Sequence, residues 1–185
     1  ILYVASLTKV DRIFQIGGAQ AIFAMSYGTE TVHKVDKIFG PGNQYVTAAK
    51  MLVQADGVAI DMPAGPSELL VIADKTARAD FVAADLLSQA EHGEDSQVVL
   101  VCMDDVMTEK ILIELRRQLK VLPRRDIIKK ALKNSFILLV PSLETAVEFS
   151  NKYAPEHLIL NIENAQRFVP LIKNAGSVFL GPYSC

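Results

Sequence analysis

Residues 80–102 read DFVAADLLSQAEHGEDSQVVLVC, and the change of period inside this stretch decides the fold. Over 80–92 apolar side chains recur at helical spacing, with Phe81, Val82, Leu86 and Leu87 on one side. Asp80 is suited to cap that helix and Gly93 to stop it. Over 97–102 the pattern becomes a short unbroken apolar run, as expected of a strand buried on both faces. The alternation continues downstream with helices at 105–120 and 124–132, a strand at 135–140, a helix at 143–153, a strand at 157–162, a helix at 164–174 and a strand at 177–180. Apolar strands separated by amphipathic helices predict an α/β fold with mostly parallel sheets and flanking helices.

Upstream, the same reading gives a strand at 68–73 and, before it, a short helix at 1–7, a strand at 11–16, a helix at 19–27, a strand at 34–39, a helix opened by Asn43 and running to about 55, and a strand at 58–62. Pro63-Ala64-Gly65-Pro66 cannot continue a sheet ladder and marks the hinge, dividing the chain into parts 1–64 and 65–185.

Half of the 185 residues are hydrophobic, enough for a real core. Lysine plus arginine (19) nearly balances aspartate plus glutamate (21), so no nucleic-acid surface or polybasic membrane patch is expected. Apolar runs are too short to span a bilayer, and no signal segment is read. Two cysteines without framework spacing fit a reducing, cytoplasmic setting. An apolar start without Met and a stop just after a strand suggest an internal piece of a longer polypeptide.

Two clusters carry chemistry. Gln89 and His92 are three residues apart on the 80–92 helix, a spacing that puts both on one face, where they could share a metal ion with Asp85 behind them. Zinc takes imidazole readily and an amide oxygen less often, and a site needs three or four protein ligands, so a plain solvent-facing stripe remains the alternative. Glu156 and His157 follow a proline and could act in relay, a carboxylate activating water beside an imidazole moving a proton; a capped turn with a half-buried histidine is the other reading. The pair precedes its strand, whereas open parallel sheets usually bind ligands at strand carboxyl ends. Gly17-Gly18 and Gly40-Pro41-Gly42 each lead into a helix whose free amides can receive an anion, or are simply turns.

In this order, GGAQAI, YGTE, VDKIFGPGN, IDMPAGPSE, VIAD, ADLLSQAEH, APEHLIL and FLGPY resemble the histidinol dehydrogenase family across nearly the whole chain. The resemblance implies a cytoplasmic, zinc-containing, NAD-dependent homodimer oxidising L-histidinol through L-histidinal to L-histidine. It makes Gln89 and His92 zinc ligands that also touch substrate, Glu156 and His157 the catalytic pair, Ser67 and His157 substrate contacts, and Gln20 and Asn43 NAD contacts. It also implies two incomplete Rossmann-like domains: 1–64, part of the second, with the NAD-contacting loops, and 65–185, part of the first, with the zinc and catalytic residues. A further zinc-binding aspartate and histidine of the family lie beyond FLGPY. The fragment by itself is therefore expected to be inactive. The rival classes are a zinc hydrolase, using Glu156 on metal-bound water without nicotinamide, and a non-catalytic scaffold fragment.

Overall fold

A computed structural model describes residues 1–61 and 68–184. The 63–66 hinge and Ser67 lie outside the described residues. The chain forms two compact units, Ile1–Gly65 and Pro66–Cys185.

The second unit is built on a five-stranded sheet in the order β5-β4-β3-β6-β7, parallel at every pairing. Its strands are β3 (Glu68–Ala73), β4 (Gln97–Cys102), β5 (Phe136–Leu139), β6 (His157–Asn161) and β7 (Ser177–Leu180). Side chains alternate across a strand. Leu69, Val71, Val98, Leu100 and Ile159 thus face α4 (Ala79–Ala90), α5 (Asp105–Leu119) and α6 (Arg125–Ala131) through Val82, Leu86, Ile111 and Ile128. Leu70, Ile72, Val99, Val101, Leu158 and Leu160 face α7 (Leu143–Tyr153) through Ala146, Leu143 and Phe149. Coverage on both sides explains why β3 and β4 read as unbroken apolar runs. The chain winds outward from β3 to β5 and returns through α7 to pair β6 with β3, the order of a doubly wound Rossmann-like sheet.

The first unit has α1 (Leu2–Leu7), α2 (Gly18–Tyr27), β1 (Lys37–Ile38), α3 (Gln44–Ala55) and β2 (Ala59–Ile60). Strands β1 and β2 pair in parallel through the crossover helix α3, and Ile22, Ile38, Ala49, Val53 and Val58 form the core.

Four expectations are corrected. Residues 11–16 form no strand; they are exposed and no described strand pairs with them. The strands expected at 34–39 and 58–62 shrink to two residues each. The helix expected at 164–174 becomes two 3₁₀ turns, Ala165–Arg167 and Val169–Leu171, because Pro170 has no N–H for an α-helical ladder and Asn164 sits in the left-handed region at φ 54°. Asp80 lies inside the first turn of α4, paired with Arg78 at 2.6 Å, and Arg78 holds the cap position. No helix among the described residues is long and apolar enough to cross a membrane.

Candidate functional site

Helix α4 returns from the carboxyl end of β3, so its last turn comes back to the amino edge of the sheet. There β3 opens at Glu68 and β6 at His157, paired in register as Leu69 with His157. The winding thus carries Gln89, His92, Glu156 and His157 to one edge.

The Glu156–His157 pair is fixed mainly through backbone. Helix α7 closes on Ala154, left-handed at φ 56°, whose N–H donates to Ser150 O at 2.8 Å, and Pro155 then sends the chain into β6. Gly176 N–H donates to Pro155 O at 3.0 Å, and Ser177 N–H to Glu156 O at 2.8 Å. The Glu156 carboxylate accepts from Glu68 N–H at 3.4 Å and lies 3.7 Å from His157 Nδ1, an ion pair when the imidazole is protonated. Their side chains are 50% and 34% exposed. The imidazole tilts against Phe179, 5.9 Å between centroids. Its Nδ1 is buried with no hydrogen-bond partner among the described residues.

On α4, Gln89 is only 8% exposed, and its Nε2 also lacks a described partner. The helix ends at Ala90 with Glu91 as its cap, so His92 lies just past it, exposed, its N–H donating to Gln89 O at 3.2 Å. The stripe read from the sequence is therefore mixed: a buried glutamine, an exposed histidine, and a half-buried Asp85 whose carboxyl is pushed up to about 6 by burial. Gln89 and His92 supply one amide oxygen and one imidazole nitrogen, donors zinc accepts. Among the described residues no group of three or more His, Cys, Asp or Glu could hold a metal ion. The chain thus carries a donor pair that fits half of a tetrahedral set.

The opposite edge has its own hydrogen bonds, and the Asn161 side chain there is buried with no described partner for its Nδ2. At the carboxyl ends of β3 and β6, where the winding reverses, Asp74 accepts from Thr76 N–H and Glu163 N–H, each at 2.8 Å, and its own N–H donates to Asn161 O at 3.4 Å. These bonds tie together the loops at the strand ends where doubly wound sheets usually bind ligands. An apolar cavity of about 260 Å³ between α4, α5, β4 and β5 is lined by Leu86, Leu100, Leu115 and Ile137 and holds none of the candidate residues.

In the first unit, Gln20 is exposed on α2, its Oε1 folded back over Gly18. Asn43 caps α3, its Oδ1 accepting from Tyr45 N–H and Val46 N–H at 3.1 Å each, which leaves its amide NH₂ outward of the cap. The sequence reading missed Lys50. Its ammonium is buried, pairs with Asp61 and donates to Gly40 O at 2.9 Å. The available signal was a lysine on the Val46–Ala49–Val53 side of α3, an apolar face.

The fold is a Rossmann-like α/β domain with a carboxylate–imidazole pair and an amide–imidazole pair carried to the amino edge of its sheet. The sequence model of histidinol dehydrogenase matches residues 1–185. Over its whole length the chain is 60% identical to histidinol dehydrogenase of Vibrio cholerae and covers 43% of it. The crystal structure of histidinol dehydrogenase from Elizabethkingia anophelis superposes with a TM-score of 0.95 at 58% identity, covering all of this chain and 43% of that one. A propionaldehyde dehydrogenase from Clostridium phytofermentans shares only the fold, with a TM-score of 0.55 at 13% identity over 97% of this chain and 54% of its own. The chain belongs to the histidinol dehydrogenase family. It spans less than half the length of these curated relatives.

Proposed function

We propose that the protein to which these residues belong is a cytoplasmic, homodimeric oxidoreductase of histidine biosynthesis. It oxidises L-histidinol to L-histidinal and then to L-histidine, reducing one NAD in each step. The observation that carries this reading is the Glu156–His157 pair, backbone-fixed and half exposed at the sheet edge to which α4 returns, in a chain of this family. Residues 1–64 are read as part of the family's second α/β domain and 65–185 as part of its first.

His157 Nδ1 is buried, so Nε2 is the nitrogen left for substrate. It accepts the hydroxyl proton as hydride leaves the alcohol carbon for NAD. Glu156, beside it, takes a proton from the water that adds to the aldehyde, and the hydrate loses the second hydride to a fresh NAD. Gln89 and His92 would hold zinc together with ligands from elsewhere in the protein, and zinc when bound orients the substrate by its nitrogen donors. Ser67 is read as a substrate contact, and Gln20 and Asn43 as NAD contacts through the two loops that open α2 and α3.

In the full-length protein, His157→Asn should slow the first oxidation by about a hundred- to ten-thousandfold while NAD binding holds. Glu156→Gln should stall the second, with histidinal formed normally. Near-normal turnover of both variants would overturn the assignment. Turnover without absorbance from reduced nicotinamide would point to a zinc hydrolase instead.

A further inference from the structure

We infer that Lys50 is a positioning residue for the cofactor: with Asp61 it clamps Gly40, and through Gly40 it sets the turn that carries Asn43 and the start of α3. The inference rests on the reading of that turn as an NAD contact. Lys50 is 3% exposed, two turns into α3 from its capping Asn43. An unpaired ammonium there would be strongly destabilising, and its charge is met by the Asp61 carboxylate and the Gly40 carbonyl. The other Asp61 oxygen accepts from Gly40 N–H at 2.8 Å. Lys50, and after it the Gly40 N–H, hold the Asp61 carboxyl below its usual range.

Gly40 is therefore bound through both of its backbone polar groups, at φ 147°, in a region that favours glycine. Three residues on, Asn43 commits its Oδ1 to the cap, so its remaining amide can face a ligand only from the position the turn allows. A pair kept only for stability could be replaced by two apolar residues at little cost. Two apolar residues could not grip Gly40 by its N–H and its carbonyl at once. This double grip makes the clamp a device for loop geometry.

The test uses the full-length protein, with NAD titrated by calorimetry and steady-state kinetics run on NAD and on histidinol. Lys50→Met keeps the length and apolar stem of the side chain and removes both bonds. It should raise the Kd and KM for NAD about tenfold or more, leaving the zinc content and the KM for histidinol at wild-type values. Asp61→Asn, which keeps an acceptor for Gly40 N–H, should do so more weakly, and it decides the matter if Lys50→Met does not fold. Asn43→Ala tests the underlying reading. If Asn43→Ala weakens NAD binding while the clamp variants only lower the melting temperature, Lys50 is structural and the inference is overturned. If Asn43→Ala leaves the Kd unchanged, the cofactor reading of the turn fails and the inference falls with it.

Discussion

A Cβ built on Gly176 would stand 2.6 Å from the carbonyl oxygen of Glu156, closer than real Cβ contacts come. The obstacle is backbone, so Gly176→Ala must displace either β7 or the residue assigned to activate water. Misplacing a reacting group by a fraction of an ångström to an ångström is expensive, and the variant of the full-length protein should lose about ten- to a hundredfold in kcat on histidinal. Ser177→Ala, next door and free of this contact, should not; equal rates for wild type and Gly176→Ala would show that Glu156 tolerates the shift. Asp85 permits a prediction of sign. Its carboxyl rises from 3.8 to about 6 through burial, so the folded state holds a proton the unfolded chain releases. Stability from this group is complete below about pH 4 and is lost as pH rises through about 6. In the metal-free protein, Asp85→Asn should therefore gain melting temperature over wild type between pH 4 and 6 and hold that gain above. A constant difference across the range would contradict the burial argument.

At the scale of elements, the turn from α7 into β6 uses alanine where glycine is the ordinary choice. Ala154 closes the helix at φ 56°, a conformation that costs a residue with a Cβ roughly 1–2 kcal/mol. Ala154→Gly should stabilise the fold by about 1 kcal/mol, less than the full relief because glycine loses more chain entropy on folding; chemical denaturation measures it, and a destabilised variant would mean the alanine methyl is held by packing. The elements most legible in the sequence are those whose pattern is complete within themselves. The runs of β3 and β4, α7 and β7 all fall at the residues their patterns predict. Residues 11–16 show the limit: an apolar stretch becomes a strand only when a neighbour pairs with it, and the sequence does not say who the neighbour is. The same holds for the site. Gln89, His92, Glu156 and His157 are visible as local pairs, but the hold of Ser177 N–H on Glu156 O and of Asp61 on Gly40 each joins residues 21 positions apart, which no local period encodes.

On the scale of the second unit, the winding of the sheet decides which residues meet at which end. Asp74 bridges the ends of β3 and β6 at the carboxyl edge where the strand order reverses, while the amino edge collects the last turn of α4 and the first residue of β6. Buried polar atoms without a described hydrogen-bond partner occur at both ends of the sheet, Gln89 Nε2 and His157 Nδ1 at the amino edge and Asn161 Nδ2 at the carboxyl edge, and only the amino edge sets an imidazole beside a carboxylate. What this edge offers a metal within the 185 residues is one neutral amide and one imidazole, with His92 outside the helix and exposed. Neither ligand brings negative charge, and half a coordination shell leaves zinc largely hydrated. Site formation also depends on deprotonated ligands held in a preformed geometry, which an exposed histidine on a turn does not provide. The 185-residue chain titrated alone with zinc by calorimetry should therefore bind it only weakly, with no stoichiometric transition at micromolar concentration, while the full-length protein binds tightly and loses that binding in Gln89→Ala. Tight stoichiometric binding by the chain alone would mean that its own residues complete the site and that zinc does not draw on the rest of the protein.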